Sequence, residues 1–216
     1  MSVSSKGGAD LAWPVVLIGP MAVGKSAIGQ QLAHQLNAAF IDTDAVIVES
    51  HGTIADIFAN RGEHAFREIE ARTVARVVEN TAGTATVISL GGGAVLDSGT
   101  QQLLAGCTVV YLECDAETVA GRIARNSGRP LLAGDAMGRW RTLFATRKPV
   151  YERLADLVFD VRRGSIHQLG LRLEDALRSF GSAKDKNMAA ADAAPQDAPA
   201  KTAVPDIAAA KKEVEL

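Results

Sequence analysis

The segment from Gly19 to Ser26 has the residue types and spacing of a loop that binds a phosphate chain. It reads Gly-Pro-Met-Ala-Val-Gly-Lys-Ser, fits the pattern G-x-x-x-x-G-K-[ST], and lies between an apolar run and a helical pattern. In this setting the backbone N–H groups of the loop and the N-terminal end of the helix face an anion. Lys25 would reach the β- and γ-phosphates, and the Ser26 hydroxyl would ligate Mg²⁺. The segment therefore predicts a nucleoside triphosphate site, with an ordinary glycine-containing turn as the alternative.

Two carboxylates, Asp42 and Asp44, follow the second apolar run of the chain in the sequence Asp-Thr-Asp. In an extended segment, alternate side chains point to the same side of the chain, so both carboxylates can face one site. Such a pair could hold Mg²⁺ through water and could accept a proton from an acceptor hydroxyl or orient it. Capping of a helix by Asp44 is an equally good explanation of the pattern.

A charged helical segment from Gly62 to Glu70 contains another candidate site residue, Arg67. On a helix, Arg67 lies four residues from Glu63 and three residues from Glu70, so it can pair with both. One interpretation is an ion-paired helix at the surface. The other is that Arg67 binds a carboxylate through two parallel hydrogen bonds while Glu70 holds it in place.

Three consecutive glycines, Gly91, Gly92 and Gly93, follow the third apolar run directly. Glycine weakens the packing of a strand, so strand structure does not explain the three of them. Backbone without side chains allows close approach to a ligand, which predicts that this segment lines the site. An ordinary flexible turn is the alternative.

Arginines in the second half of the chain are further candidates. Arg129 lies in residues 126–137, which lack hydrophobic periodicity and contain glycines, as expected for a mobile lid. From a lid, Arg129 could neutralise charge on a transferring phosphoryl group. Arg147 lies on a predicted helix, where a lone arginine is usually solvated. Arg162 and Arg163 follow the last apolar run, where a guanidinium could stack on adenine.

Five apolar runs predict the buried strands that must position these residues, at 15–18, 39–41, 86–90, 108–112 and 157–159. Helical patterns lie between and after them, at 25–36, 45–50, 53–60, 63–80, 100–105, 116–125, 138–154 and 165–179. Continuous apolar strands separated by helices predict an α/β fold with a parallel sheet covered on both faces. Ligands of such sheets bind beyond the carboxyl ends of the strands, and the candidate residues follow the strands.

Composition places the chain among ordinary folded domains. Its 216 residues are 47% hydrophobic, and a formal net charge of −2 gives no reason to expect a nucleic acid or an anionic membrane as partner. We find neither an apolar run of about 18 residues nor an N-terminal signal pattern, so a cytoplasmic protein is expected. The two cysteines, Cys107 and Cys114, exclude a disulfide framework and are expected to be small buried side chains.

Composition also divides the chain. Residues 14–180 carry the alternating pattern and are expected to form one domain, whereas residues 1–13 are expected to be flexible. Residues 181–216 contain no aromatic residue and no arginine, but many alanines and three of the seven prolines. Such a stretch buries too little apolar surface to offset the entropy of ordering, so a disordered tail is predicted.

Taken in order, these motifs resemble those of the shikimate kinases. Besides the phosphate loop and the three glycines, they are Asp-Thr-Asp at 42–44, Ile-Ala-Asp-Ile-Phe at 54–58, Gly-Glu-x-x-Phe-Arg-x-x-Glu at 62–70, Arg-Pro-Leu-Leu at 129–132 and Arg-x-x-x-Tyr at 147–151. The resemblance extends from about residue 15 to residue 180. The ordered set is far more specific than any one motif.

The resemblance implies a fold like that of the nucleoside monophosphate kinases. This is a three-layer α/β structure with a five-stranded parallel sheet in the order 2-3-1-4-5 and a mobile lid. The implied reaction uses ATP and Mg²⁺ to phosphorylate the 3-hydroxyl of shikimate, on the route to chorismate and the aromatic amino acids. A cytoplasmic monomer that binds small molecules is also implied.

The resemblance further implies a role for each site residue. Arg67 and Arg147 would pair with the shikimate carboxylate, while Asp44 and the glycines Gly91, Gly92 and Gly93 would hold its hydroxyl groups. If a base is needed, Asp44 is favoured over Asp42, because it would touch the hydroxyl. Lys25 and Arg129 would stabilise the γ-phosphoryl group. Nucleotide contacts are implied for Met21, Ala22, Val23, Gly24, Lys25, Ser26, Arg122, Arg129 and Arg163, and metal contacts for Ser26 and Asp42.

The chain departs from the family pattern at Ala22, where the phosphate loop usually has a glycine. If this residue needs a positive φ, alanine costs about 1 kcal/mol. Two alternative functions fit the fold: another small-molecule kinase such as a gluconate kinase, or a nucleotide-binding regulatory paralogue without turnover. The first is disfavoured by Arg67, Arg147 and the three glycines at 91–93 together. The second is disfavoured by the presence of Lys25, Ser26, Asp42, Asp44 and Arg129.

Overall fold

A central sheet of parallel strands organises residues 11–124 and 135–192, the part of the chain that the computed structural model describes. The strands are β1 (Val15–Ile18), β2 (Ala39–Asp42), β3 (Thr86–Ser89), β4 (Thr108–Glu113) and β5 (Leu157–Asp160). All neighbouring pairs are parallel, and the order is β2-β3-β1-β4-β5. Both the predicted strands and their predicted order are confirmed.

Helices connect successive strands and cover both faces of the sheet. They are α1 (Lys25–Leu36), α2 (Thr43–His51), α3 (Ile54–Thr81), α4 (Ser98–Leu104), α5 (Ala116–Ala124), α6 (Ala136–Leu154) and α7 (Ile166–Asp192), with a 3₁₀ turn at Ala94–Leu96. The two predicted helices 53–60 and 63–80 are the two halves of α3. They bend at Gly62, whose φ of 79° and ψ of 172° interrupt the helical geometry.

Alternate residues of β1 pack against opposite helical layers. Val15 and Leu17 lie in a buried cluster with residues of α1 and α7, whereas Val16 and Ile18 lie in a second cluster with residues of α3, α4 and α6. All four side chains are buried, which explains why this strand is apolar throughout instead of alternating. A third, smaller cluster lies between α2 and α3 and contains Ile47, Ile57, Phe66 and Ile69.

The strand register brings the carboxyl ends of three neighbouring strands together. Ser89, at the end of β3, pairs with Asp42 at the end of β2 and with Leu17 near the end of β1. The loops that follow these strands therefore start side by side at one edge of the sheet. They are the phosphate loop, the Asp-Thr-Asp segment and the three glycines.

Helix α7 ends later than the composition predicts. It continues through residues 181–192 to Asp192, whereas the sequence predicts a disordered tail from residue 181. Their alanines, lysines and methionine favour a helix, and the first proline of the tail stands at position 195. Although α7 is 27 residues long, neither it nor another described helix is apolar enough to cross a bilayer.

Removal of residues 193–216 is expected to leave catalysis unchanged. The strands, helices and cleft of the described chain are built from residues before position 193, and the predicted tail beyond it lies outside the described residues. We expect kcat and both KM values of the truncated protein to stay within about twofold of the full chain. Steady-state kinetics of the two proteins provide the test, and a tenfold loss would make the tail part of the catalytic domain.

Both cysteines are buried, as predicted. Burial raises the pKa of Cys107 to about 11 and that of Cys114 to about 12. Because the thiolate is the reactive form, both groups are expected to resist a disulfide reagent such as DTNB at pH 8. The same reagent should titrate both thiols after denaturation, and rapid labelling of the folded protein would contradict the burial.

Candidate active site

The phosphate loop runs from the end of β1 to the start of α1 with three residues in the left-handed region. Its φ angles are 138° at Gly19, 67° at Ala22 and 106° at Gly24. Glycine adopts such angles without strain, whereas the Cβ of an alanine makes the left-handed conformation cost about 1 to 2 kcal/mol. From the sequence, the cost of the alanine at position 22 depends on whether this residue needs a positive φ. It does, so the alanine there carries this cost.

Lys25 begins α1, and its side chain turns back toward the loop. Nζ donates hydrogen bonds to the carbonyl oxygens of Gly19 at 2.9 Å and Pro20 at 3.0 Å. The side chain is buried, so its charge acts where water screens it little. A cation held in this way is suited to an anionic ligand of the loop.

Asp42 joins the end of β2 to the start of α1. Ser26 Oγ donates a hydrogen bond to Asp42 Oδ2 at 2.5 Å. Oδ1 of Asp42 accepts from the backbone N–H groups of Asp44 at 3.0 Å and Ala45 at 3.3 Å. Asp42 is therefore the N-cap of α2, and the alternative in which Asp44 caps a helix is wrong.

Asp44 lies in the first turn of α2 and not in an extended segment. The alternation of side chains along a strand is therefore the wrong reason for expecting the two carboxylates on one side. Asp42 and Asp44 nevertheless line the same cleft, because α2 begins immediately after β2. A carboxylate in the first turn is also favoured by the helix dipole.

Thr43, between these carboxylates, ties β2 to the glycine segment. Its side chain is completely buried, and its hydroxyl donates to the carbonyl oxygen of Ser89 at 3.2 Å. The same hydroxyl accepts a hydrogen bond from the N–H of Gly91 at 3.3 Å. Thr43 thus fixes the separation of two loops that carry candidate site residues.

Arg67 and Glu70 form an ion pair that faces inward. Arg67 donates to Glu70 at 2.6 Å and to Glu63 at 3.1 Å, and 3% of the Glu70 side chain is exposed against 55% of Glu63. Burial raises the pKa of Glu70, and Arg67 opposes that rise. Burial lowers the pKa of Arg67, but Glu70 and Glu63 outweigh it and the net shift is upward. The interpretation of a purely surface ion pair is therefore wrong for Glu70.

The three glycines are needed because other groups of the site occupy the space around them. A Cβ on Gly93 would overlap the Arg67 guanidinium, and one on Gly91 would meet Asp44 Oδ1 at 2.8 Å. A Cβ on Gly92 would lie 3.2 Å from the backbone nitrogen of Met21 in the phosphate loop. The close approach predicted from the sequence is therefore an approach to side chains and backbone of the site itself.

Arg147 is buried, although a lone arginine on a helix is usually solvated. One turn later on α6, Tyr151 donates a hydrogen bond from its hydroxyl to the carbonyl oxygen of Gly92 at 2.5 Å. Burial raises the pKa of Tyr151 to about 12, while Arg147 acts in the opposite direction. Tyr151 therefore remains a donor at neutral pH and connects the arginine to the glycine segment.

A cleft of about 430 Å³ brings most of the predicted site residues together. The predicted residues that line it are Met21, Ala22, Gly24, Lys25, Ser26, Asp42, Asp44, Arg67, Gly91, Gly92, Gly93, Arg122 and Arg147. The phosphate loop lines it together with Arg67, which is partly exposed, and Arg147, which is buried. The arrangement can hold a polyphosphate beside a small carboxylate-bearing molecule.

Two of the described residues that the sequence places in the site, Val23 and Arg163, do not line this cleft. The side chain of Val23 is completely buried in the core beside α1, so its backbone alone can reach a ligand. Arg163 lines a separate depression on the other side of β4, together with Asp160 and Arg162, which pair with each other at 2.7 Å. Arg129 and most of the predicted lid lie outside the described residues.

The cleft has an apolar wall that includes aromatic residues for which the sequence allows two positions, the core, which it favours, or the wall of a small cleft. Ile54, Phe58 and Phe66 line it, and the rings of Phe58 and Phe66 lie 4.9 Å apart. The Arg67 guanidinium lies 5.2 Å from the centroid of the Phe66 ring. The second position is therefore the correct one for Phe58 and Phe66.

The chain is similar in sequence to known shikimate kinases over most of its length. A family model described as shikimate kinase matches residues 21–177. The shikimate kinase of Streptomyces coelicolor is 46% identical over 145 residues, which cover 67% of this chain and 83% of that protein. That of Mycobacterium avium is 46% identical over 155 residues, which cover 71% and 86%.

Solved structures agree with the sequence matches. The shikimate kinase from Acinetobacter baumannii in complex with shikimate superposes with a TM-score of 0.72 at 30% identity, covering 76% of this chain and 92% of that one. A gluconokinase from Sinorhizobium meliloti reaches a TM-score of 0.51 at 15% identity, covering 82% and 95%, and shares the fold alone.

Proposed function

This chain belongs to the shikimate kinase family, and we propose that it transfers the γ-phosphoryl group of ATP to the 3-hydroxyl of shikimate. The observation that carries the proposal is one cleft that is lined by the phosphate loop, by the partly exposed Arg67 and by the buried Arg147. ATP supplies the anion for the loop, and shikimate supplies a single carboxylate for the arginines. The product enters the biosynthesis of aromatic amino acids.

The acceptor half of the cleft matches the chemistry of shikimate. Arg67 and Arg147 pair with its carboxylate, because guanidinium groups match a carboxylate in charge and geometry. Asp44 accepts hydrogen bonds from ring hydroxyls, and the backbone of Gly92 contacts the same groups. Glu70 keeps Arg67 in position through the 2.6 Å ion pair, so the arginine is oriented before substrate arrives.

The donor half holds the nucleotide through the phosphate loop. The N–H groups of the loop and the end of α1 bind the phosphates, and Lys25 neutralises charge that develops on the γ-phosphoryl group. Arg122, which lines the cleft, contacts the nucleotide from α5. Arg129 contacts the phosphoryl group from the segment between α5 and α6, and Arg163 contacts adenine.

Ser26 and Asp42 fit a magnesium ion. A hydroxyl and a carboxylate are oxygen ligands of the kind Mg²⁺ prefers, and they lie 2.5 Å apart beside the phosphate loop. When bound, Mg²⁺ neutralises phosphate charge and orients the phosphates for in-line transfer. Asp42 is held in place by the backbone of α2, so this oxygen pair is oriented in advance.

Phosphoryl transfer needs positioning and charge neutralisation more than covalent help from the protein. The residues of the acceptor half hold the 3-hydroxyl toward the loop, and Lys25 stabilises the charge spread over the transferring group. Asp44 takes the hydroxyl proton as it is released. We assign this role to Asp44 and not to Asp42, because Asp44 is the aspartate that contacts the acceptor.

We also propose a cytoplasmic monomer. Two buried cysteines without a disulfide fit a reducing compartment. The exposed large apolar residues Val48, Leu96, Val158 and Leu171 lie on four different elements and do not favour a self-association surface.

A coupled assay of ADP release tests the function directly. The protein is given ATP and Mg²⁺ with shikimate, quinate, gluconate or no acceptor, and shikimate-dependent turnover is expected. Turnover with gluconate alone would retain the fold and overturn the acceptor assignment. Nucleotide binding without any turnover would favour the regulatory paralogue.

A further inference from the structure

Three consecutive carbonyl oxygens of the phosphate loop accept hydrogen bonds from side chains outside the loop. The Met21 carbonyl accepts from the indole Nε1 of Trp140 at 3.0 Å. The carbonyls of Ala22 and Val23 accept from one nitrogen of Arg122, at 3.2 Å and 2.7 Å. The donors belong to α6 and α5, so these two helices hold the loop from outside.

These bonds set the direction of the amide groups that face a phosphate. A peptide unit is planar and trans, so its C=O and its N–H point in opposite directions. A Met21 carbonyl held on Trp140 therefore turns the N–H of Ala22 away from the indole. The same geometry applies to the N–H groups of Val23 and Gly24, whose peptide carbonyls are held by Arg122.

Ala22 adds backbone strain to the phosphate loop, because it is an alanine with a positive φ. Ala22 and Asn37 are the two non-glycine residues with positive φ among residues 11–124 and 135–192. Asparagine tolerates the left-handed region, but alanine has no side-chain group to compensate for it. Strained backbone persists where its surroundings fix it from several sides, and the Trp140 and Arg122 bonds lie on both sides of Ala22.

Trp140 is well suited to this task because its ring cannot turn freely. The side chain is 2% exposed, and it stacks on Phe144 with ring centroids 4.8 Å apart. Its single N–H donor is therefore held at a fixed place. Arg122 lines the cleft and is expected to touch the nucleotide, whereas Trp140 does not line the cleft, so its effect on the loop can be measured separately.

We propose that Trp140 is a positioning residue of the phosphate loop, whose indole N–H keeps the strained Ala22 peptide in the conformation that binds nucleotide. The proposal rests on the nucleotide half of the proposed function. It predicts that the importance of Trp140 depends on the alanine at position 22. With glycine there, the loop reaches the left-handed conformation without strain and needs the indole less.

The test compares Trp140→Phe, Ala22→Gly and the double variant by calorimetric titration with ADP and Mg²⁺ in the absence of acceptor. Trp140→Phe keeps an aromatic ring and removes the donor, and the dissociation constant of ADP is expected to rise about fivefold to tenfold. In the double variant the rise over Ala22→Gly should be about twofold or less. The KM for shikimate should stay within about twofold in all three variants.

Trp13→Phe is the matched control, because Trp13 precedes β1 at the opposite end from the phosphate loop. Its ADP affinity should equal that of the unaltered protein. Unchanged ADP binding by Trp140→Phe, or an equal loss with alanine and glycine at position 22, would overturn the proposal. Because binding is measured without acceptor, a protein that binds ADP but does not phosphorylate shikimate would contradict the proposed function and leave this inference standing.

Discussion

Replacing Lys25 by alanine is expected to lower kcat for shikimate phosphorylation by about 100-fold to 1,000-fold. The ammonium group is buried and lies within 3.0 Å of two loop carbonyls, so its position is fixed before nucleotide binds. Its charge is worth most in the transition state, where negative charge spreads over the transferring phosphoryl group. Steady-state kinetics with saturating ATP and shikimate measure the loss.

One further variant separates the charge of Lys25 from its packing, and a second serves as a control. Lys25→Met keeps an unbranched apolar side chain without the charge, and it should lose as much activity as the alanine variant. Lys148→Ala is the matched control, since that lysine is partly exposed and pairs with Glu113 and Glu152 at 3.8 Å and 3.5 Å. It should keep normal turnover. A Lys25→Ala enzyme within about tenfold of normal kcat would refute the assignment of the loop.

Replacing Arg67 by alanine is expected to raise the KM for shikimate by about 10-fold to 100-fold while the KM for ATP changes by about twofold or less. In the proposed function, Arg67 donates charge-assisted hydrogen bonds to the acceptor carboxylate. Its hydrogen bonds in the structure go to Glu63 and Glu70 and not to the phosphate loop, so a direct effect on ATP is not expected. Equal effects on both KM values would exclude a role as carboxylate anchor.

The loss caused by Arg67→Ala should also depend on pH. Burial raises the pKa of Glu70, and Arg67 is the largest influence that opposes the rise, so removing the arginine raises this pKa further. At low pH Glu70 is then protonated and neutral, whereas at high pH it is charged and repels the substrate carboxylate. The shikimate KM of the variant should therefore increase as pH rises.

Glu70→Gln in the Arg67→Ala background should strongly reduce this pH dependence, because it removes the buried carboxylate whose pKa is raised. The carboxylates of Glu63 and Asp44 remain in both variants, so they do not account for the difference. Arg72→Ala is the matched control on the same helix. The Arg72 side chain is 70% exposed and pairs with Glu68 at 3.8 Å, so its removal should change neither KM. A shikimate KM of Arg67→Ala that falls as pH rises would contradict the charge argument.

The sheet and most of the cleft were predictable because their signals are local. Each strand is a short apolar run, and the phosphate loop, the Asp-Thr-Asp segment and the three glycines each follow a strand directly. Parallel strands bring their carboxyl ends to one edge. The phosphate loop is recognisable since its function needs fixed residue types at fixed spacing. The inward-facing arrangement of Arg67 and Glu70 could be proposed, but not chosen over a surface ion pair, since helical spacing allows both.

Other features depend on contacts between residues that are far apart in the sequence, and local residue spacing does not predict such contacts. The hydrogen bond from Trp140 to Met21 and the burial of Arg147 both require the packing of α6 in the folded chain. The positive φ at Ala22 could be stated from the sequence only as a condition. From the sequence, capping of a helix by Asp44 is only one of two equally good interpretations, and Asp42 is the residue that caps α2, since the start of a helix is uncertain by one or two residues from sequence.

The glycine segment 91–93 also limits how this protein can change under selection. Any substitution there adds at least a Cβ, and that atom meets Asp44 and Glu70, the backbone of the phosphate loop, or the Arg67 guanidinium. An inhibitor that makes its main contacts with this stretch of backbone would therefore be difficult to evade by mutation, because substitutions at these positions also displace groups of the site. Resistance would have to arise elsewhere in the cleft, on its apolar wall, where side chains can be exchanged without displacing the charged groups.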